Sequence, residues 1–440
     1  MFSTTLLRAE REPAARVWAL PRTEPDPAGA RGIGPWPWLY LLLLPLTAVL
    51  PFLIQSPAGD YRPLQSVEAF TELRLFWALY TVWLALLLVL LWRAPNRWTV
   101  AMLVGLFAVT SMGVYVLATP NGQGEDWQWA IDPIQIQRLG RIENLGYYDF
   151  PALALIRVYL GEISGIGVAE FRTPLILFWL VSLSQLLLAG YLRLFRSPQL
   201  AGLAVVVAIQ SNLVLARFYL HPMYAGVLLV AALMGFLLGR HRPLTISERI
   251  VVILLLGGLT ITHFVSSMIG VSIIAGFYLE QRWREGPEVV SRGMVILACT
   301  LAAFWATYWT ATTFENLVAL LPDVGGRYKE GEGFYYVSRV AEANTEGLPL
   351  WVTGVQAFWW VSVYFGGGLL ALATLIRRRR LPVAPGYAGA YIVLAVGVAV
   401  GMVVSTGGYD FYRFIVYGSL IAVVRERSRR ASQDPAITTL

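Results

Sequence analysis

The densest group of polar side chains outside the two termini lies in the segment 119–172, between two long apolar runs. It contains Asp126, Asp132, Arg138 and Arg141. Other candidates for binding or chemistry lie between or at the edges of later apolar runs: Arg217, His221, His263, Tyr328, Tyr335, Tyr336, Tyr409 and Arg413. Ionisable groups are costly at the edge of a bilayer or inside it, so these residues are expected to face a polar cavity.

Two short amphipathic helices are predicted within 119–172. The first starts with Asp132 as N-cap and Pro133 at the first helical position, and it ends at Gly146. The second runs from Pro151 to about Gly161. Neither reaches the roughly 20 apolar residues that cross a bilayer, so both are expected to lie on the membrane surface. The predicted pattern places Ile131, Ile134, Ile142 and Leu145 against lipid or protein, and Arg138, Arg141 and Glu143 towards water.

The composition indicates a helical membrane protein. The chain is 57% hydrophobic and only 14% charged, which is far from the composition of soluble domains. Its one cysteine, Cys299, lies in an apolar run, so no disulfide framework or metal–thiolate site is expected. The excess of basic residues comes from arginines clustered between apolar runs, which argues against a nucleic-acid partner.

We expect an all-α fold, a polytopic bundle of about twelve spans with two short juxtamembrane helices in a large external loop. The spans are predicted at 36–54, 74–92, 98–118, 173–195, 199–217, 222–239, 249–263, 264–280, 293–312, 351–376, 385–405 and 411–424. One transmembrane domain then covers 36–425, with external loops 119–172 and 313–350. Residues 1–35 and 426–440 are expected to be cytoplasmic tails.

The distribution of arginines predicts the orientation. Every even-numbered span is followed by an arginine cluster, and cytoplasmic links are enriched in arginine and lysine. This pattern predicts a multi-pass plasma-membrane protein with both termini in the cytoplasm and segment 119–172 outside. The pair 249–263 and 264–280 shares one apolar run, so it forms either two spans that turn at His263–Phe264 or one long tilted or broken helix. The arginine pattern favours the turn.

The order of these features resembles the GT-C superfamily of membrane glycosyltransferases over about residues 95–425. The resemblance is carried by GEDWQWAIDP at 124–133, YYDFPALALI at 147–156, TITHFVSS at 260–267 and GGYDFYRFIVYGS at 407–419. Two features depart from the family pattern. The acidic residue follows the third span and not the first, and no large soluble domain follows the last motif.

The resemblance implies an extracytoplasmic enzyme that transfers a sugar, with inversion, from a polyprenyl-phosphate donor to a glycan, lipid or protein acceptor. The acceptor hydroxyl then needs a base, whereas the phosphate leaving group needs fixed donors for its charge. Asp126 is the first candidate for the base because it has no evident capping role. Asp132 is the second, since a structural role as N-cap would also explain it.

The resemblance also suggests how the donor is held. Arg413 is the first candidate for the donor phosphate, because Asp410 could orient its guanidinium group. His263, Arg217 and His221 are further candidate donors, with ordinary structural roles as the alternative. The aromatic residues expected to cover the substrate, or to form an interfacial belt, are Tyr328, Tyr335, Tyr336 and Tyr409.

No cofactor is expected, because the polyprenyl-phosphate-linked sugar is a substrate, and no divalent-metal site is indicated by the spacing of acidic residues and histidines. Membrane lipids are the other expected partners. The alternative function is a polytopic transporter or flippase of a lipid-linked or small substrate. A transporter would require breaks in the spans and internal repeats. Gly257–Gly258 and Gly366–Gly368 are candidates for such breaks, and we find no internal repeat. A non-catalytic membrane scaffold is the third alternative.

Overall fold

The structure is a computed structural model. It describes residues 37–54, 73–118, 124–142, 151–167, 171–195, 197–213, 222–238, 240, 242–285 and 288–308. It also describes residues 369, 372, 373, 376, 386, 388–393 and 396. The predicted span 411–424, the tails and the loop 313–350 lie outside the described residues.

The described part of the chain is 86% helical and contains no strand. The helices are α1 (Pro37–Leu53), α2 (Arg74–Arg93), α3 (Arg97–Ala118), α4 (Gly124–Leu139), α5 (Ala152–Ser164), α6 (Arg172–Leu194), α7 (Pro198–Leu213), α8 (Pro222–Leu237), α9 (Ile246–Thr262), α10 (Phe264–Trp283) and α11 (Arg292–Tyr308). Residues 388–393 are also helical. The all-helical prediction is therefore confirmed for this part of the chain.

The long helices coincide with the predicted spans. Each of the first nine predicted spans falls on one of α1–α3 and α6–α11, with ends that differ by a few residues. Three described segments are long and apolar enough to cross a membrane: Arg74–Arg93, Pro174–Arg193 and Phe264–Trp283. Many large apolar side chains on the bundle surface are exposed, such as Leu41, Met102 and Leu254. A lipid environment would cover these side chains.

Long helices that follow one another in the chain run in opposite directions, and interhelical hydrogen bonds show which of their ends lie together. Gln199, in the first turn of α7, donates to the carbonyl of Ala94 in the link between α2 and α3. Arg193, near the end of α6, donates to the carbonyl of Gly235 near the end of α8. The end of α2 therefore meets the starts of α3 and α7, and α6 runs parallel to α8.

This alternation gives the bundle two distinct ends. The end that holds the α2–α3, α6–α7, α8–α9 and α10–α11 links carries Arg93, Arg97, Arg193, Arg240, Arg242, Arg249, Arg282, Arg284 and Arg292, and we call it the arginine end. The opposite end holds the end of α3, the start of α6 and the α9–α10 link. We call it the loop end, because segment 119–172 connects α3 to α6 there.

Four helices that start at the arginine end are capped by a side-chain oxygen. Asn96 accepts from the backbone N–H groups of Trp98 and Thr99 at the start of α3, both at 3.0 Å. Ser197 caps α7, Ser291 caps α11, and Thr245 forms a capping box with Glu248 at the start of α9. Each cap satisfies backbone donors that the helix leaves open, so it fixes where the helix begins.

The link between α9 and α10 is a hairpin turn of one residue. His263 is extended, with φ −165° and ψ 131°, between the last residue of α9 and the first of α10. A Cβ on Gly270 would lie 2.7 Å from Leu259 Cδ1 and 3.5 Å from Leu256 Cδ2. In one continuous helix, Leu259 and Gly270 would be about 16 Å apart. The chain therefore turns back on itself at His263, as the arginine pattern predicts.

A second close contact joins α10 to the helical segment 388–393. A Cβ on Gly276 would overlap the carbonyl of Gly389, so the two backbones touch. The buried carboxylate of Glu280 accepts from the Gly389 N–H at 2.8 Å and from Arg284 Nη1 at 2.8 Å. Contact between small residues is typical of helices packed within a membrane, where close backbone approach replaces the hydrophobic driving force.

Candidate functional site

The first short helix of segment 119–172 begins earlier than the sequence predicts. α4 runs from Gly124 to Leu139, so Asp132 and Pro133 lie inside it and not at its start. The predicted N-cap role of Asp132 is therefore wrong. The helix ends where Gly140 adopts φ +67°, a left-handed conformation that glycine reaches without strain, and not at Gly146.

The second short helix agrees closely with its prediction. α5 is preceded by Pro151 and ends at Ser164, one turn beyond the predicted end, with Gly165 at φ +69°. The backbone N–H of Gly165 donates to the carbonyl of Gly161 at 2.9 Å. The helix is therefore closed by the same kind of glycine terminator as α4.

The two short helices pack on each other at the loop end. Ile136 of α4 and Ala154 of α5 are buried together, with Ile142, Leu155 and Val158 around them. Gln137 Nε2 donates to Glu162 Oε1 at 2.6 Å across the exposed side of the pair. α5 also packs against α8 and α9, so the pair is docked on the bundle.

Two ionisable side chains are buried on this pair. Asp132, one turn before Ile136 on α4, is 4% exposed, and Arg157, one turn after Leu153 on α5, is 1% exposed. Arg157 is among the most completely buried large side chains of the described residues. Buried charges are stable only when they are paired or hydrogen-bonded, so such groups need a reason to be retained.

The positions of Asp126 and Asp132 lie on different sides of α4. Six residues along a helix correspond to a rotation of about 240°, which leaves the two positions roughly 120° apart around the axis and about 9 Å apart along it. The side chain of Asp126 lies outside the described residues. The helix geometry nonetheless places the two positions on different sides of α4.

His263 is buried at the turn between α9 and α10, where its ring caps α10. It is 2% exposed, and its Nδ1 lies 3.3 Å from the Ser266 backbone N and 3.0 Å from Ser266 Oγ. Because a backbone N–H can only donate, Nδ1 is the acceptor, and the proton of the neutral ring is assigned to Nε2. The ring therefore has a structural role, because it satisfies a backbone donor at the start of α10.

Hydroxyl groups surround the turn and make it polar. Thr260 and Ser267 are both buried, and their hydroxyl oxygens lie 3.4 Å apart across the hairpin. Thr262 donates back to the carbonyl of Gly258. A patch of buried polar groups within an apolar bundle thus marks the loop end next to His263.

Comparisons with known proteins add no assignment. No family model, curated protein or solved structure matches the chain.

The structure therefore describes only part of the predicted site. Asp132 and His263 lie at the same end of the bundle. The candidates outside the described residues are Arg217, His221, Tyr328, Tyr335, Tyr336, Tyr409 and Arg413. Among the described residues, no three His, Cys, Asp or Glu side chains gather in a way that could hold a metal ion.

Arg157 is the residue that the sequence reasoning missed. A lone arginine in the middle of the apolar run ALALIRVYL is the signal that could have found it, because a surface helix normally keeps its charges on the water-facing side. In α5 the residues on the side of Arg157 are buried, including Leu153, Ala154 and Gly161. The arginine therefore faces protein.

Proposed function

We propose that the protein is a membrane glycosyltransferase that takes its sugar from a polyprenyl-phosphate donor and works at the loop end of the bundle. The observation that carries the proposal is the burial of Asp132 and Arg157 on two packed short helices, at the end of the bundle where His263 lies. A carboxylate and a guanidinium group there supply the two kinds of group that the reaction needs, a base and a fixed phosphate donor.

In the proposed reaction, the acceptor hydroxyl oxygen attacks the anomeric carbon while a carboxylate takes the hydroxyl proton. The bond between the anomeric carbon and the phosphate oxygen breaks, and polyprenyl phosphate leaves with the electron pair. Attack from the side opposite the leaving group inverts the anomeric centre. The phosphate takes no proton in this step, so cationic donors suffice to stabilise its charge.

We assign the base to α4 and favour Asp132, because N-capping no longer explains it and it is buried on the side of α4 that carries Ile136. Asp126, on another side of the helix, is the alternative. Arg157 joins Arg413 and His263 as a candidate donor to the leaving phosphate. Arginine suits this task because its planar fork binds two phosphate oxygens at once.

The transporter alternative finds less support in the described spans. Gly257 and Gly258, a predicted break, lie inside the uninterrupted helix α9. The buried charged residues of the described chain are Asp132, Arg157, Glu248 and Glu280. The first two lie on the short helices and the last two in the first or last turn of a span. Transporters typically place such groups near the middle of broken spans.

The test measures release of polyprenyl phosphate by the reconstituted protein with a panel of short-chain polyprenyl-phosphate sugars and added membrane glycolipid acceptors. With the best donor, Asp132→Asn should slow release by about 10²–10⁴-fold, the usual contribution of a general base. Arg157→Lys keeps the charge but loses the fork, so it should raise the donor KM more than it lowers kcat.

Glu162→Gln is the matched control, since it removes an exposed carboxylate from the same helix pair. It should retain near-normal turnover. If Asp132→Asn turns over normally while Asp126→Asn does not, the base is Asp126. If neither substitution slows release, or if no donor in the panel is consumed, the proposal is wrong.

A further inference from the structure

The link between α2 and α3 at the arginine end combines two arginines with two tryptophans. Arg93 is the last residue of α2 and Arg97 the first residue of α3, and both are exposed. Trp92 and Trp98, immediately outside them in sequence, are 59% and 68% exposed. The Arg97 guanidinium carbon lies 5.3 Å from the centre of the Trp98 ring, within the range of a cation–π contact.

Neither arginine has a carboxylate partner among the described residues, whereas three other arginines at the same end do. Arg240 and Arg242 form ion pairs with Glu248, and Arg284 forms one with Glu280. No such pair involves Arg93 or Arg97. Two positive charges on a short link therefore remain available to an anion from outside the chain.

The backbone of the link is held in place by its neighbours, so the positions from which the two arginine side chains extend are fixed. Ala94, which lies between the arginines, is 2% exposed, and its carbonyl accepts from Gln199 of α7 at 2.7 Å. Asn96 Oδ1 accepts hydrogen bonds from the backbone N–H groups of Trp98 and Thr99 in the first turn of α3. The guanidinium groups, and not the helix terminus, are therefore the groups that would bind an anion.

We propose that Arg93, Arg97, Trp92 and Trp98 bind the headgroup of an anionic phospholipid. Tryptophan side chains favour the boundary between acyl chains and headgroups, and arginines next to a span attract anionic lipids. Each of the two arginines is next in the chain to an exposed tryptophan, so the charge and the indole ring that such a headgroup favours occur together. The proposal requires the bundle to lie in a membrane but does not depend on the proposed transferase activity.

The experiment uses the full chain in nanodiscs that contain equal amounts of phosphatidylglycerol and phosphatidylcholine with identical acyl chains. Native mass spectrometry then counts the lipids that stay bound after release. The wild type should retain phosphatidylglycerol in preference to phosphatidylcholine. In the double variant Arg93→Gln/Arg97→Gln this preference should be roughly 30-fold smaller. Each arginine contributes about a fivefold preference for an anionic surface, and the two factors multiply.

Arg138→Gln is the matched control, since Arg138 is an exposed arginine of α4 at the opposite end. It should leave the preference unchanged, and Arg93→Lys/Arg97→Lys should keep most of it. Raising the salt concentration should weaken the preference of the wild type, which tests the proposal even if the double Gln variant does not fold. Equal retention of the two lipids, no effect of salt, or an equal loss in Arg138→Gln would overturn the proposal.

Discussion

His263 illustrates how one side chain can support two roles. Through Nδ1 the ring caps α10, and the resemblance of its motif makes the same residue a candidate phosphate donor in the proposed reaction. The motif TITHFVSS identified the residue as a site candidate but gave no sign that it also caps a helix. Capping by a histidine ring depends on the extended backbone at 263, which sequence alone does not define.

The two roles can be separated by substitution. His263→Asn should preserve the cap, because asparagine is a strong N-cap residue, whereas His263→Ala should lower the free energy of unfolding by about 1 kcal/mol. Thermal unfolding in detergent measures the cap, and donor turnover measures phosphate binding. If His263 binds the phosphate, His263→Asn should unfold like the wild type and still lose turnover. Wild-type turnover in His263→Asn would restrict the histidine to its structural role.

Asp132 and Arg157 show where residue-level prediction failed. An aspartate followed by proline is a typical helix start, and the sequence reasoning applied that rule to Asp132. The rule failed because α4 already begins at Gly124, so Asp132 is the ninth residue of the helix and not its N-cap. Burial of Arg157 depends on the packing of α5 against its neighbours. The apolar run around Arg157 is a local sign of that packing, but it does not identify which helices α5 contacts.

At the scale of elements, the apolar runs predicted most of the fold. The nine predicted spans between 36 and 312 are helical wherever the structure describes them, as expected for long apolar runs, which can satisfy their backbone groups in lipid only as helices. The boundaries of the polar helices were less accurate, since their ends depend on single glycines. Gly140 ended α4 before Gly146 could, although both are plausible terminators by sequence.

The α9–α10 hairpin depends on a glycine at its contact surface. Gly270→Ala should destabilise the protein by about 1–3 kcal/mol, because the added methyl group would meet Leu259, which is fully buried and has little room to move. Gly257→Ala is the control. A Cβ there has no neighbour within 4 Å, so the substitution should be neutral or stabilise α9 by up to about 1 kcal/mol.

The midpoint of thermal unfolding in detergent distinguishes the two variants. Gly270→Ala should lower the midpoint, and Gly257→Ala should leave it unchanged or raise it. A rise of equal size in both variants would contradict the close packing of α9 against α10.

At the scale of the whole molecule, the bundle has two chemically different ends. Those arginines of the predicted cytoplasmic links that the structure describes lie at one end, and the buried Asp132 and Arg157 lie on helices at the other. We infer that the arginine end faces the cytoplasm and the loop end the outside. The apolar pattern predicted this division, because each additional span reverses the direction of the chain.

Cysteine labelling tests this orientation. On a Cys299→Ala background, which removes the one native thiol, Arg138→Cys should react with a membrane-impermeant maleimide in intact cells. Glu288→Cys, an exposed position in the link that precedes α11, should react only after the membrane is permeabilised. Labelling of both positions from the same side would refute the separation of the two ends by a bilayer.

The one-residue turn at His263 also constrains how the chain is made. The first turn of α9 carries Glu248 and Arg249, so its apolar part, 250–262, is too short to stay across a bilayer without help. We therefore expect a growing chain to deliver α9 and α10 to the insertion machinery together. We expect nascent chains arrested with residue 263 as the last one outside the ribosome to leave 246–262 open to protease. In chains arrested later, with residue 283 also outside the ribosome, both helices should be protected from protease. Protection of α9 in the shorter chains would show that α9 enters the membrane without α10.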